Sequence, residues 1–114
     1  MTEEQVSFND WQKLDLRVGK ILKVEDIEGA DKLYKLEVDL GKEIGKKTLV
    51  AGIKKNYDKD ELKGKKCVIF VNLEPKKLKG IESKGMILAA VSEDETEIRL
   101  LEPDSEVEIG SKIR

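Results

Sequence analysis

Between Asn72 and Ala90 the chain reads NLEPKKLKGIESKGMILAA, which gathers Lys76, Lys77, Ser83 and Lys84 around two glycines and a proline. An apolar run from Cys67 to Val71 precedes the stretch, and a second, Met86 to Val91, closes it. Short apolar runs bounded by turn residues read as buried strands. Lysines and a hydroxyl in a loop between two core strands suit one chemistry: charge-assisted capture of phosphate.

The remaining residues offer little other reactivity. There is no histidine, so the commonest general base and metal ligand are both missing. The single cysteine, Cys67, rules out an internal disulfide and reads as an inert core thiol. No nucleophile–base pair, glycine-rich phosphate loop or metal-ligand spacing is visible. The acidic run Glu93-Asp94-Glu95-Glu97 reads as a solvated turn. The expectation is a protein without catalysis, metal or cofactor.

The net charge of −2 conceals an asymmetry. Residues 41–80 hold twelve lysines against five acids, while both flanks are acidic. Phosphate contacts depend on local rather than total charge, so the basic block points to nucleic acid despite a pI near 5.4. The five aromatics are too few for a base-stacking platform, and Trp11 and Phe70 read as buried. Lysine–phosphate and 2′-hydroxyl contacts would then dominate, which favours the shape of folded RNA over unpaired sequence.

The elements that must position this loop follow from pattern. Ser7 and Asp10 form a helix start with Val6 set to staple onto Trp11, giving a short helix from about Phe8 to Leu14. Leu16 to Val24 is rich in β-branched residues, and its apolar parity slips after Gly19, as at a bulge. Tyr34, Leu36, Val38 and Leu40 alternate with charged residues, a half-buried strand. Gly41 to Gly45 closes a hairpin into Lys47–Ile53, and Asp58 to Gly64 is one capped helical turn. The fold expected is all-β: a five-stranded OB-type barrel, with a short N-terminal helix and a helical turn between the third and fourth strands. All 114 residues form one domain, with a core at about 15–91 and an extension at 92–114. No apolar run approaches the ~20 residues a membrane helix needs. MTEEQVSF lacks a secretory pattern, so a cytoplasmic location without membrane contact is expected.

Three segments in order, DLRVGKILKVEDIEGADKLYKLEVDLG (Asp15–Gly41), LVAGI (Leu49–Ile53) and NLEPKKLKGIESKGMILAA, closely resemble the tRNA-binding domain family. That family includes stand-alone tRNA-binding proteins and the C-terminal domain or separate β subunit of methionyl-tRNA synthetase. The resemblance covers about residues 8–114. It implies an OB-fold, a non-catalytic homodimer and recognition of tRNA by its overall shape, with methionyl-tRNA synthetase as a further partner. A start at Met1 resembles the stand-alone or separate-subunit form.

Carried over position by position, the resemblance assigns Lys32, Lys76 and Lys77 to phosphates. Asn72 and Ser83 would bond phosphate or ribose, and Met86 would touch a base or sugar. Lys84 stands where the family usually has glutamine, and Lys54 where alanine is common; both add charge near the expected groove. The dimer interface implied uses Phe8 and Trp11 with Ile98, Leu100, Leu101, Val107 and Ile109 of the extension. Trp11, read without the family, is a core plug. An alternative of a different class is an OB-fold protein-export chaperone that binds unfolded polypeptides. Such chaperones share the LDLRVG start but match less well at ADKL and ESKGM.

Overall fold

The computed structural model describes residues 4–114. Helix α1 (Phe8–Gln12) begins on Ser7, whose Oγ accepts the Asp10 amide at 3.1 Å. That is the expected cap, but Val6 stays exposed, so no staple buries it.

Strand β1 (Leu16–Ile27) is the axis of the main sheet. Its first residues pair antiparallel with β4 (Lys66–Phe70), and its second half with β2 (Ala30–Asp39). The register shifts between Ile21 and Lys23, just beyond the parity slip seen in the sequence. Gly19 lies against the core: a Cβ there would stand 2.7 Å from Val38 Cγ1 and 2.9 Å from Ile69 Cγ1 and Leu40 Cδ2. A glycine is needed because any side chain would overpack this crossing. β1 runs past the expected Val24 because Glu25 and Asp26 pair with Lys35 and Tyr34. Exposed charges at a strand end carry no apolar signature.

Strand β3 (Lys46–Ala51) pairs with β2, and Tyr34, Leu36, Val38 and Leu40 are all buried, as the alternation implies. Helix α2 (Lys59–Leu62) follows, with the Glu61 carboxylate accepting the Asp58 amide at 2.8 Å and Leu62 fully buried. Beyond β4 lie β5 (Lys76–Leu78), β6 (Ile81–Ser83), β7 (Met86–Ile87), β8 (Ala89–Val91) and β9 (Ile98–Leu100).

Five strands form one antiparallel sheet in the order β3-β2-β1-β4-β7, and β5–β6 and β8–β9 form separate pairs. The expected barrel closure is the point of difference, since no ladder joins β3 to β7. The β3 edge instead meets the end of β6 and the residue after it through two bonds: Lys84 N–H to the Thr48 carbonyl and Val50 N–H to Ser83 Oγ, each 2.9 Å. The chain that would complete a ladder turns instead into the β5–β6 hairpin, and a side-chain oxygen satisfies the Val50 amide.

The main core gathers Ile21, Leu36, Leu40, Leu49, Leu62 and Ile69, all with no solvent exposure. Each such side chain contributes roughly 1.5–3 kcal/mol of burial. Cys67 is buried there, and loss of solvation pushes its thiol up to about 12. The C-terminal segment returns along β1: Gly110 and Ile113 donate to the carbonyls of Val18 and Leu16, and Val18 N–H donates to Ser111, at 2.8–2.9 Å.

Candidate nucleic-acid interface

The stretch expected to be a loop is largely a hairpin. Lys79 and Gly80 both hold positive φ, 51° and 80°, as a two-residue turn between twisted strands requires. Lys76 pairs with Ser83, Lys77 with Glu82 and Leu78 with Ile81. Leu78 and Ile81 pack onto a second small core of Ile27, Ala30 and Val50, joined by Leu33. This apolar anchor fixes the basic hairpin beside the start of β2, where Lys32 lies.

Lys32, Lys76 and Lys77 are exposed and form no ion pair among the described residues. Lys54 is joined to this group by its backbone, which donates to the Lys32 carbonyl at 3.2 Å. Its Nζ lies 3.0 Å from Asp26 Oδ1 and 5.9 Å above the centre of the Tyr34 ring. Lys84 Nζ is 3.7 Å from Glu82. The small core thus sets the hairpin that carries Lys76 and Lys77 next to the strand that carries Lys32, and Lys54 joins Lys32 through its backbone. Ammonium groups without internal partners can take phosphate oxygens at little desolvation cost.

Two of the expected polar contacts have other work. Ser83 is only 5% exposed; its Oγ accepts from Val50 N–H at 2.9 Å and donates to the Gly85 carbonyl at 3.1 Å. It positions the hairpin rather than meeting a ligand. Asn72 Oδ1 accepts the Asp15 amide at 2.8 Å, and its Nδ2 donates to the Lys13 carbonyl at 2.7 Å, so the amide ties α1 to the end of β4. Met86, by contrast, is 42% exposed and stands opposite Phe70. Ser83→Ala leaves the buried Val50 amide without an acceptor, at a cost of about 1–3 kcal/mol. Urea denaturation should show that loss, and RNA affinity should fall with it less than about tenfold, because no direct contact is removed.

The residues assigned to a dimer interface divide. Phe8 is 69% and Leu101 41% exposed, while Trp11, Val107 and Ile109 are half-buried. Trp11 is therefore not a core plug; with Phe8, Leu14 and Ile113 it lines a groove edged by Lys112 and Arg114. Phe70 is likewise half-buried. Leu100 corrects its assignment: it is 7% exposed inside the chain's own core, with Ile98 packed beside it. One small sheet covers more of the extension than the apolar count suggests, because β9 pairs with β8.

The sequence reading missed Asp26 and Lys59. Asp26 accepts from both Lys59, at 2.7 Å, and Lys54, and these bonds, that to Lys59 first, hold its carboxyl below the ordinary value. The partners are 28 and 33 positions from Asp26, beyond any local spacing signal. Among the described residues no group of three or more His, Cys, Asp or Glu is placed to hold a metal, and no helix is long and apolar enough to cross a membrane.

Residues 16–112 match the family described as "Putative tRNA binding domain". Methionine–tRNA ligase of Pyrococcus horikoshii is 57% identical over 111 residues, covering 97% of this chain; the chain spans only 15% of that relative's length. The crystal structure of a MetRS-related protein from Pyrococcus horikoshii superimposes with a TM-score of 0.90 at 37% identity, covering 98% of this chain and 100% of that one. The CsaA chaperone protein from Picrophilus torridus superimposes with a TM-score of 0.86 at 40% identity, covering 96% and 100%. With an anchored lysine hairpin in place and most of its length matched, the chain belongs to the tRNA-binding domain family.

Proposed function

We propose that this chain binds tRNA as a folded shape, without catalysis of its own. The observation that carries the reading is the β5–β6 hairpin, whose unpaired lysines are held beside Lys32 by a dedicated apolar anchor. The fold we assign is an OB-type barrel, in which the bonds from Thr48 and Val50 to residues 83 and 84 take the place of a closing ladder. The chain acts as a homodimer, in which a second copy covers Phe8, Trp11 and Leu101, with Val107 and Ile109 at the rim. A dimer doubles the phosphate contacts available to one RNA. The enzyme served is a methionyl-tRNA synthetase, in the cytoplasm.

A salt series tests this reading, with total tRNA as ligand and single-stranded RNA and a short duplex as competitors. Binding of tRNA over both competitors, with log affinity falling about 0.7–0.9 per phosphate contacted, is expected. Absence of RNA binding at low salt overturns it. A second reading, a polypeptide-binding chaperone, is favoured by the exposed Phe8, Met86 and Leu101 and by the likeness to the CsaA protein. It predicts the opposite result: no RNA binding, and suppression of aggregation of an unfolded polypeptide.

A further inference from the structure

A line of lysines leads away from the hairpin along α2. Lys54 and Lys59 share the Asp26 carboxylate, and Asp26 adjoins Ile27 of the hairpin's apolar anchor. Lys59 in turn lines a groove between β1 and α2 with Lys23 and Lys63. Lys23 and Lys63 form no ion pair among the described residues and are exposed. The acids nearby are largely committed: Glu25 lies 3.9 Å from Lys35, and Asp26 serves two lysines. Glu25 and Asp60 are the two acids that line the groove, against three lysines. The groove's apolar lining residue is the half-buried Val24, and no aromatic ring lines it, so it offers charge without a stacking surface.

We propose that the groove between β1 and α2 is a second phosphate-binding site, in which Lys23, Lys59 and Lys63 hold the sugar-phosphate backbone of the RNA whose first contact is the hairpin. Asp26 sets the strength of this site. Its carboxylate cancels one of the two charges of Lys54 and Lys59 and pins both ammonium groups between the two contact regions. A backbone phosphate arriving there competes with Asp26 for the same donors. The bound RNA therefore crosses from the hairpin, past Lys32 and Lys54, onto α2. The inference rests on the tRNA-binding reading and extends its footprint.

Neutralisation tests it without charge reversal. The triple variant Lys23→Gln, Lys59→Gln, Lys63→Gln should bind total tRNA about tenfold more weakly near 0.1 M salt, with a log–log salt slope shallower by about two. Hydroxyl-radical footprinting of the tRNA should lose one protected backbone segment and keep another. Asp26→Asn, which keeps shape and removes the charge, should instead tighten binding about threefold. Circular dichroism and thermal melts check that both variants fold. Wild-type binding that the triple variant leaves unchanged in affinity, slope and footprint overturns this site and leaves the hairpin reading standing. Weaker binding by Asp26→Asn overturns the role given to Asp26. A wild-type chain that binds no tRNA overturns both.

Discussion

Reversing the charge of Lys76 and Lys77 together should abolish most tRNA affinity while leaving the fold in place. At near-physiological salt the expected loss is about 100-fold, and the log–log salt slope should become shallower by about 1.4–1.8, two contacts' worth. The reason is local. Both side chains are exposed and without an ion-pair partner among the described residues, so their charge is free for phosphate. The reversal at 77 also sets a like charge against Glu82 on β6, which costs about 0.2–1 kcal/mol of hairpin stability. Lys76→Gln with Lys77→Gln separates the two effects, since it removes contacts without repulsion and should retain most of the slope change. Filter binding measures the affinity, and an unchanged value for the reversed variant would sink the hairpin as the primary site.

Deleting residues 102–114 should have the largest effect on stability. The segment supplies three backbone hydrogen bonds to Leu16 and Val18, each worth about 0.5–1.5 kcal/mol. It also holds Lys65 through Glu102, at 3.1 Å, and Lys66 through Glu106 and the Val107 carbonyl, at 2.9 and 3.0 Å. The Glu102 bond holds the Lys65 ammonium above its ordinary value. Removal opens the unpaired edge of β1 at the N-terminal half of the strand, where an exposed edge invites association. The expected outcome is a lower urea midpoint and aggregate in sedimentation, with the proposed dimer lost. A truncated chain that sediments as a well-behaved dimer at the original midpoint would refute both the stabilising tail and its part in the interface.

Several elements were legible from residue order. The alternation of Tyr34, Leu36, Val38 and Leu40 gives β2 directly, because strand side chains alternate between core and solvent. Ser7 and Glu61 form the helix-start bonds expected of them. The hairpin β5–β6 was less legible, since Lys76 and Lys77 mask its alternation; its apolar signal is only Leu78 and Ile81. The exposed face of the extension was over-read because composition counts apolar residues without telling which ones β8 and the core cover.

By itself the sequence determined the first four strands in order, the basic block at 41–80, the absence of histidine chemistry and the motifs of the tRNA-binding domain family. These follow from residue type and local period. Only the tertiary structure decided that Ser83 and Asn72 spend their polar atoms on hydrogen bonds within the chain, that Leu100 belongs to the core and that Asp26 binds Lys54 and Lys59. It also decided that the main sheet stays open where β3 meets residues 83–84. Each of these depends on partners many residues away, and hydrogen bonds and burial are set by what the fold brings within 3 Å or so rather than by neighbours in the chain.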